Sequence, residues 1–123
     1  DRAFVAICGN YSEKKAEKYS ELAKQIKGIV QENYHDSSLN SQRIADMIQM
    51  NNAYLGRMFK NSYGRSINDY INTCRLEESM RLLRQTDMSV EEIAQNVGFS
   101  NIKYFYVLFK KLTGITPATY RAG

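Results

Sequence analysis

The sequence predicts an all-α fold of two helix-turn-helix lobes joined by a shared connector helix, on the strength of three observations. The first is composition: 43% of the 123 residues are hydrophobic, with one proline and seven glycines. That balance suits packed helices better than sheets or a disordered chain. The second is an internal repeat. Leu39-Asn40, Ile44-Ala45 and Ile48 recur 49 residues later as Met88-Ser89, Ile93-Ala94 and Val97. The register then slips to 50, where Tyr54-Leu55, Met58-Phe59-Lys60, Gly64, Ser66 and Tyr70 return as Tyr104-Phe105, Leu108-Phe109-Lys110, Gly114, Thr116 and Tyr120. Each copy reads as a short helix, a tight turn and a longer helix. The third is the stretch between the copies, which keeps helical spacing while its apolar positions change sides.

The elements follow in order. Residues 1–10 are mildly apolar and have no identifiable partner, and residues 1–24 as a whole read as an extension leading into the first helix, a linker from a domain outside this chain. From about Ser12 to Tyr34, Tyr19, Leu22, Ala23, Ile26, Ile29, Val30 and Tyr34 keep helical spacing, so a long amphipathic helix is expected whose later part packs on the first repeat. Lobe one spans about 25–65. Asn40 is a suitable N-cap ahead of Ile44, Ala45 and Ile48. A turn through Gln49-Met50-Asn51 then leads to a second helix from about Asn52 to Tyr63, ended by Gly64.

The connector is expected from Ser66, capped with Asp69 three residues on, to about Gln85. At ~100° per residue, Ile67, Tyr70, Ile71 and Cys74 share one face, and Leu76, Met80 and Leu83 centre on the opposite one. A helix serving one core keeps one stripe, so this one is expected to serve two. Its length of ~30 Å is close to the ~34 Å between successive major-groove openings on one side of B-DNA.

Lobe two, about 86–123, has stronger punctuation. Ser89 with Glu92 forms a capping box, and Gly98 suits a left-handed turn residue. The first copy carries Gln49 at that place, so its turn must either differ in shape or tolerate strain. The longer helix runs from about Asn101 to Leu112 or Thr113. Thr116-Pro117 then opens a short final helix with a cap followed by proline.

Charge adds a functional pointer. The net charge is only +4, but between Asp46 and Asp69 the chain carries Arg57, Lys60 and Arg65 with no acid. After Glu92 it carries Lys103, Lys110, Lys111 and Arg121, again with no acid. Both stretches coincide with the second helix of a repeat. A polyanion repels carboxylates and attracts lysine and arginine, so this segregation is what a helix facing DNA requires. On the first of these helices Leu55, Met58, Phe59 and Ser62 should pack inward, leaving Ala53, Arg57 and Lys60 outward with Gly56 at the edge. On the second, Phe105, Leu108, Phe109 and Leu112 should pack inward, leaving Lys103, Val107 and Lys110 outward with Tyr106 at the edge. Arg57 has the fork that engages guanine N7 and O6 together, and Ala53 is small enough to meet a thymine methyl. Lys60 and Lys110, further along, are expected on phosphates. Asn40 and Ser89 leave backbone amides at helix starts where a phosphate can bind.

Other chemistry is not indicated. No apolar run approaches the ~18 residues of a membrane span, and no secretory leader opens the chain. Cys8 and Cys74 are isolated, suggesting neither a disulfide framework nor a zinc site. His35, the single histidine, sits beside Asp36 in a polar loop with Ser37-Ser38 and reads as solvated or capping. Phosphate-binding glycine loops, nucleophile elbows and acid–base frames are missing. The expectation is a cytoplasmic protein that is not an enzyme, without cofactor, metal or membrane contact.

Ala45 to Gly64, the Arg75-Leu76 region, Ile93-Ala94, Val97-Gly98-Phe99-Ser100, Tyr104-Phe105, Phe109-Lys110-Lys111, Thr113-Gly114, Thr116-Pro117 and Tyr120-Arg121 together resemble the AraC/XylS family of bacterial transcription regulators. The resemblance covers about residues 25–122, and its most specific part runs from Gly98 to Arg121. It implies seven helices forming two helix-turn-helix lobes that bind successive major grooves on one face of DNA. It places base contacts at Ala53, Gly56 and Arg57, then at Ile102, Lys103, Tyr106 and Val107. The family often has arginine where this chain has Val107, which implies weaker or apolar base reading by the second lobe. Ser79 replaces a usual alanine. Members commonly carry a separate sensing or dimerisation domain, expected here outside this chain, and RNA polymerase is a further partner. The competing reading is a helical protein-interaction module whose basic faces bind an acidic partner such as a polymerase subunit.

Overall fold

The computed structural model describes residues 10–123, with side chains from Ser20 onward. The mildly apolar lead segment and Cys8 therefore lie outside the described residues. Seven helices are present among those described: α1 (Asn10–Asn33), α2 (Ser41–Met47), α3 (Asn52–Tyr63), α4 (Ile67–Gln85), α5 (Val90–Val97), α6 (Ile102–Thr113) and α7 (Pro117–Ala122).

Local capping chemistry fixes where these helices start. Asn40 accepts the Arg43 amide at 2.8 Å, Ser66 the Asp69 amide at 3.0 Å, Ser89 the Glu92 amide at 3.1 Å and Thr116 the Thr119 amide at 3.2 Å. Each bond satisfies an amide that the helix itself leaves without a partner. Two caps were not read from the sequence. Asn51 and Asn101 accept the amides of Tyr54 and Tyr104 at 3.0 and 3.1 Å, so α3 and α6 begin with the same device.

The chain divides into two compact units. One comprises α1 through Ile29 with Asn40–Asp69; the other comprises Val30–Leu39 with Tyr70–Gly123. In the first unit α2 packs on α3, and Ala23, Ile26, Ile44, Ala45, Leu55, Met58, Phe59 and Ile67 are buried. Lys27 Nζ sits 3.6 Å from the centre of the Tyr63 ring, and that ring in turn lies against Phe59.

The second unit is built on an aromatic run. Phe99, Phe105, Phe109 and Tyr120 follow one another with ring centres 5.2, 5.7 and 5.7 Å apart. Leu76, Leu83, Ile93, Ala94 and Val97 complete that core, with Met80 and Leu108 packed at its margin. Truncating a buried phenylalanine costs about 3–5 kcal/mol, so Phe105 and Phe109 hold α6 in place. Ile71 on the other side of α4 is also buried.

Two arginines that the sequence left unassigned serve as internal struts. Arg75 is 7% exposed; its Nε donates to the Tyr34 carbonyl at 2.8 Å and its Nη2 to the Asp36 carbonyl at 2.9 Å. Burial lowers its pKa, partly offset by the charge of Asp36. Arg121 donates to the carbonyls of Leu83 and Thr86 at 3.0 and 3.2 Å, satisfying acceptors at the end of α4. Ser79 is fully buried and donates to the Leu76 carbonyl at 2.6 Å, so its hydroxyl is not left without a partner.

The inward faces need two corrections. Leu112 is 57% exposed, and Ser62 is exposed as well, its hydroxyl 3.9 Å from Met58 Sδ. These are the same position in the two copies. Helical periodicity carries the apolar stripe one turn beyond Phe59 and Phe109, but the core stops at those rings.

Candidate nucleic-acid interface

The two turns between helices are hydrogen-bonded alike. In the first copy the Met50 amide donates to the Ala45 carbonyl at 2.9 Å, and in the second the Phe99 amide donates to the Ala94 carbonyl at 2.9 Å. Gln49 takes the left-handed conformation at φ 57°, as Gly98 does at φ 112°. The first turn thus keeps the same hydrogen bonds and tolerates the strain of a side chain there. The register slip falls after these bonds: Ser100 is the extra residue before the cap Asn101.

Those turns set the outward faces of α3 and α6. Ala53, Arg57 and Lys60 are exposed on α3, and Gly56 is half-buried. A Cβ added at Gly56 would meet nothing within 4 Å, so neither space nor backbone requires glycine there. On α6, Lys103 and Lys110 are exposed, Val107 is 65% exposed, and Tyr106 is half-buried. Tyr106, Val107, Lys110 and Lys111 line one shallow hollow with Thr116. Ile102 differs from its neighbours because it packs against the second unit's core. Asn40 and Ser89 are exposed at the starts of α2 and α5.

Neither α3 nor α6 has an acid in its first turn. A carboxylate does reach α6 from outside it: Glu91, in the first turn of α5, accepts the Tyr106 hydroxyl at 3.4 Å. Burial, then the Glu91 charge, raises the Tyr106 pKa, so the phenol keeps its proton. Tyr104, 47% exposed, accepts from Asn72 Nδ2 at 3.1 Å. Sequence reasoning missed both contacts, since each joins two different helices, across 15 residues for Glu91–Tyr106 and 32 for Asn72–Tyr104. His35 stacks on Tyr34 with ring centres 3.9 Å apart. Among the described residues no group of three or more His, Cys, Asp or Glu could hold a metal ion, and no helix is long and apolar enough to cross a membrane.

Two like-built helix-turn-helix units with outward helices free of acids define a double helix-turn-helix domain. A helix-turn-helix domain family matches residues 44–123. The C-terminal domain of AraT, a response regulator from Geobacillus stearothermophilus, matches with a TM-score of 0.79 at 30% identity, covering 82% of this chain and 84% of that one. The DNA-binding domain of AdpA, solved in complex with a target DNA, matches with a TM-score of 0.75 at 26% identity, covering 81% of this chain and 89% of that one. The transcriptional regulatory protein YesN of Bacillus subtilis is 45% identical over 78 residues, 62% of this chain and 21% of YesN. The chain belongs to the AraC/XylS family of helix-turn-helix DNA-binding domains. It spans a small part of its curated relatives, 21% of YesN and 13% of the regulator YtdP from the same organism.

Proposed function

We propose that this domain binds a defined duplex DNA sequence to regulate bacterial transcription, reading it with α3 and α6 in successive major grooves. One observation carries the reading: at matching places in the repeat, both helices expose basic and small or apolar side chains and no carboxylate. Phosphates demand the bases, and base edges demand side chains short or forked enough to reach them. Ala53, Gly56, Arg57, Lys103, Tyr106 and Val107 are the base-reading set, with Ile102 contributing at its margin. Lys60, Lys110 and the helix starts at Asn40 and Ser89 hold phosphates.

Relatives support the regulatory setting. They include the Msm operon regulatory protein of Streptococcus mutans, 35% identical over 97 residues. The greater length of such proteins is where a sensing or dimerisation domain belongs, and RNA polymerase is the partner a regulator at a promoter would meet. Catalysis has no part in this reading, and the setting is the cytoplasm, where the DNA is.

The pairs Ala53/Lys103 and Arg57/Val107 are chemically unlike, so the site is asymmetric, about 20 base pairs long, and bound by a monomer of this domain. Selection of bound sequences from random duplexes tests the proposal. An asymmetric, information-bearing site is expected. Flat enrichment would overturn sequence-specific reading and favour the protein-interaction alternative.

A further inference from the structure

Glu91 is out of place on its surface. From α5 its carboxylate meets Tyr106 on the outward helix of the second unit, whose charged side chains are all lysines. An acid there repels the phosphates that the lysines attract. Its contact with Tyr106 gives it a use. A tyrosine hydroxyl has one hydrogen to donate and lone pairs to accept with. Because Tyr106 spends its hydrogen on Glu91, the hydroxyl turns only lone pairs outward, and the carboxylate beside it has none but acceptor atoms.

The geometry points to Glu91 and Tyr106 acting together as an acceptor pair that reads the exocyclic amino group of cytosine or adenine in the major groove. Cytosine N4 and adenine N6 are the amino donors exposed there, whereas guanine O6 and thymine O4 are acceptors that such a pair repels. Tyr104 shows the opposite polarity. It accepts from Asn72 and so keeps its hydrogen to donate, as a phosphate contact needs. The inference rests on the proposed function and assigns a base preference to the second lobe. It also makes Glu91 a specificity residue, although its charge weakens binding.

The test measures binding of the domain to duplexes carrying each of the four base pairs at every position of the second half-site. Wild type is compared with Glu91→Gln, Tyr106→Phe, the double variant and the neighbouring-acid control Glu92→Gln. Wild type should favour an amino-bearing base at one position by about tenfold, within the range of a good base-edge contact. Glu91→Gln should bind every sequence a few-fold more tightly, since a negative charge is gone, while preference at that one position falls below threefold. Glutamine can donate or accept, so the tyrosine hydroxyl is no longer held as an acceptor. Tyr106→Phe should lose preference at the same position, and the double variant should add nothing further. Glu92→Gln should tighten binding without altering preference.

Uniform tightening by Glu91→Gln with preference intact would overturn the inference. So would preference changes at different positions for the two single variants. Absence of any sequence preference in wild type would instead overturn the proposed function, which keeps the two failures apart. Glu91 is exposed and Tyr106 half-buried, and thermal melting of each variant checks that folding is unchanged.

Discussion

Gln49 and Gly98 hold the same place in two copies of one turn, both in the left-handed conformation, yet only one is glycine. The difference lies in what surrounds them. A Cβ at Gly98 would sit 2.3 Å from the Tyr34 carbonyl oxygen and 2.7 Å from Arg75 Nε, distances at which backbone must move. Gly98→Ala should therefore cost on the order of 2–4 kcal/mol, combining left-handed strain with a steric clash. Gln49→Gly relieves the strain alone and should fall within about 1 kcal/mol of neutral. Urea unfolding of both variants checks this; equal costs would show that the Tyr34 carbonyl has room to yield.

Gly56 lies inside a helix with open space around its Cα. Alanine there should raise stability by about 0.5–1 kcal/mol, the usual helix penalty of glycine. If DNA approaches the helix backbone at that point, the added methyl should also weaken specific binding several-fold. Thermal melting and binding measured on the same preparation separate the two effects. Greater stability with unchanged affinity would remove Gly56 from the interface.

Arg57 lies about one turn into α3 and Lys110 two turns into α6. Arg57→Ala should cost about 1–3 kcal/mol on the preferred site and relax preference at one base pair. Lys110→Ala should weaken all sequences alike and lower the salt slope by about one. Because Val107 stands where the family often has arginine, the half-site read by the second lobe should be the more degenerate apart from its amino-reading position. A base-substitution panel at two salt concentrations decides; a reversal of the two behaviours would show the assigned faces to be wrong.

Glu78 accepts two bonds from the Arg81 guanidinium, at 2.6 and 2.9 Å, and that bonding holds its carboxyl below the ordinary value of 4.5. A carboxyl depressed in the folded state binds its proton more readily when unfolded. Its contribution to stability is thus full above the ordinary value and disappears as the pH falls through the folded one. Glu78→Gln should lower stability slightly at neutral pH, slightly because the pair is partly exposed, and the two curves should converge as the pH falls below about 4.5. Unfolding curves at several pH values check this; an unchanged acid limb would show the pair to be solvent-screened.

What could be read from the sequence depended on the range of the physics involved. The caps at Asn40, Ser66, Ser89 and Thr116 bond within three residues, so composition at those positions reveals them. The outward faces of α3 and α6 follow from rotation alone, which is why Arg57, Lys103 and Val107 were legible as exposed. Leu112 was misread because periodicity gives a face but not the point where a core ends. Arg75 looked like any surface arginine, since the carbonyls it bonds lie 41 and 39 residues away. The Glu91–Tyr106 contact spans only 15 residues but was hidden because it crosses from one helix to the next.

Arg75 and Gly98 both abut the Tyr34–Asp36 segment, which precedes the first repeat in the chain yet belongs to the second unit. Duplication is visible in the sequence as two successive cassettes, but the folded protein does not come apart along that seam. A truncation that began at the connector to isolate the second reader would discard the carbonyls Arg75 bonds, leaving a buried guanidinium without its acceptors. Grafting one copy into another regulator carries the same debt: the transplanted cassette must bring, or find, a stand-in for a strand of chain that its own repeat never encoded.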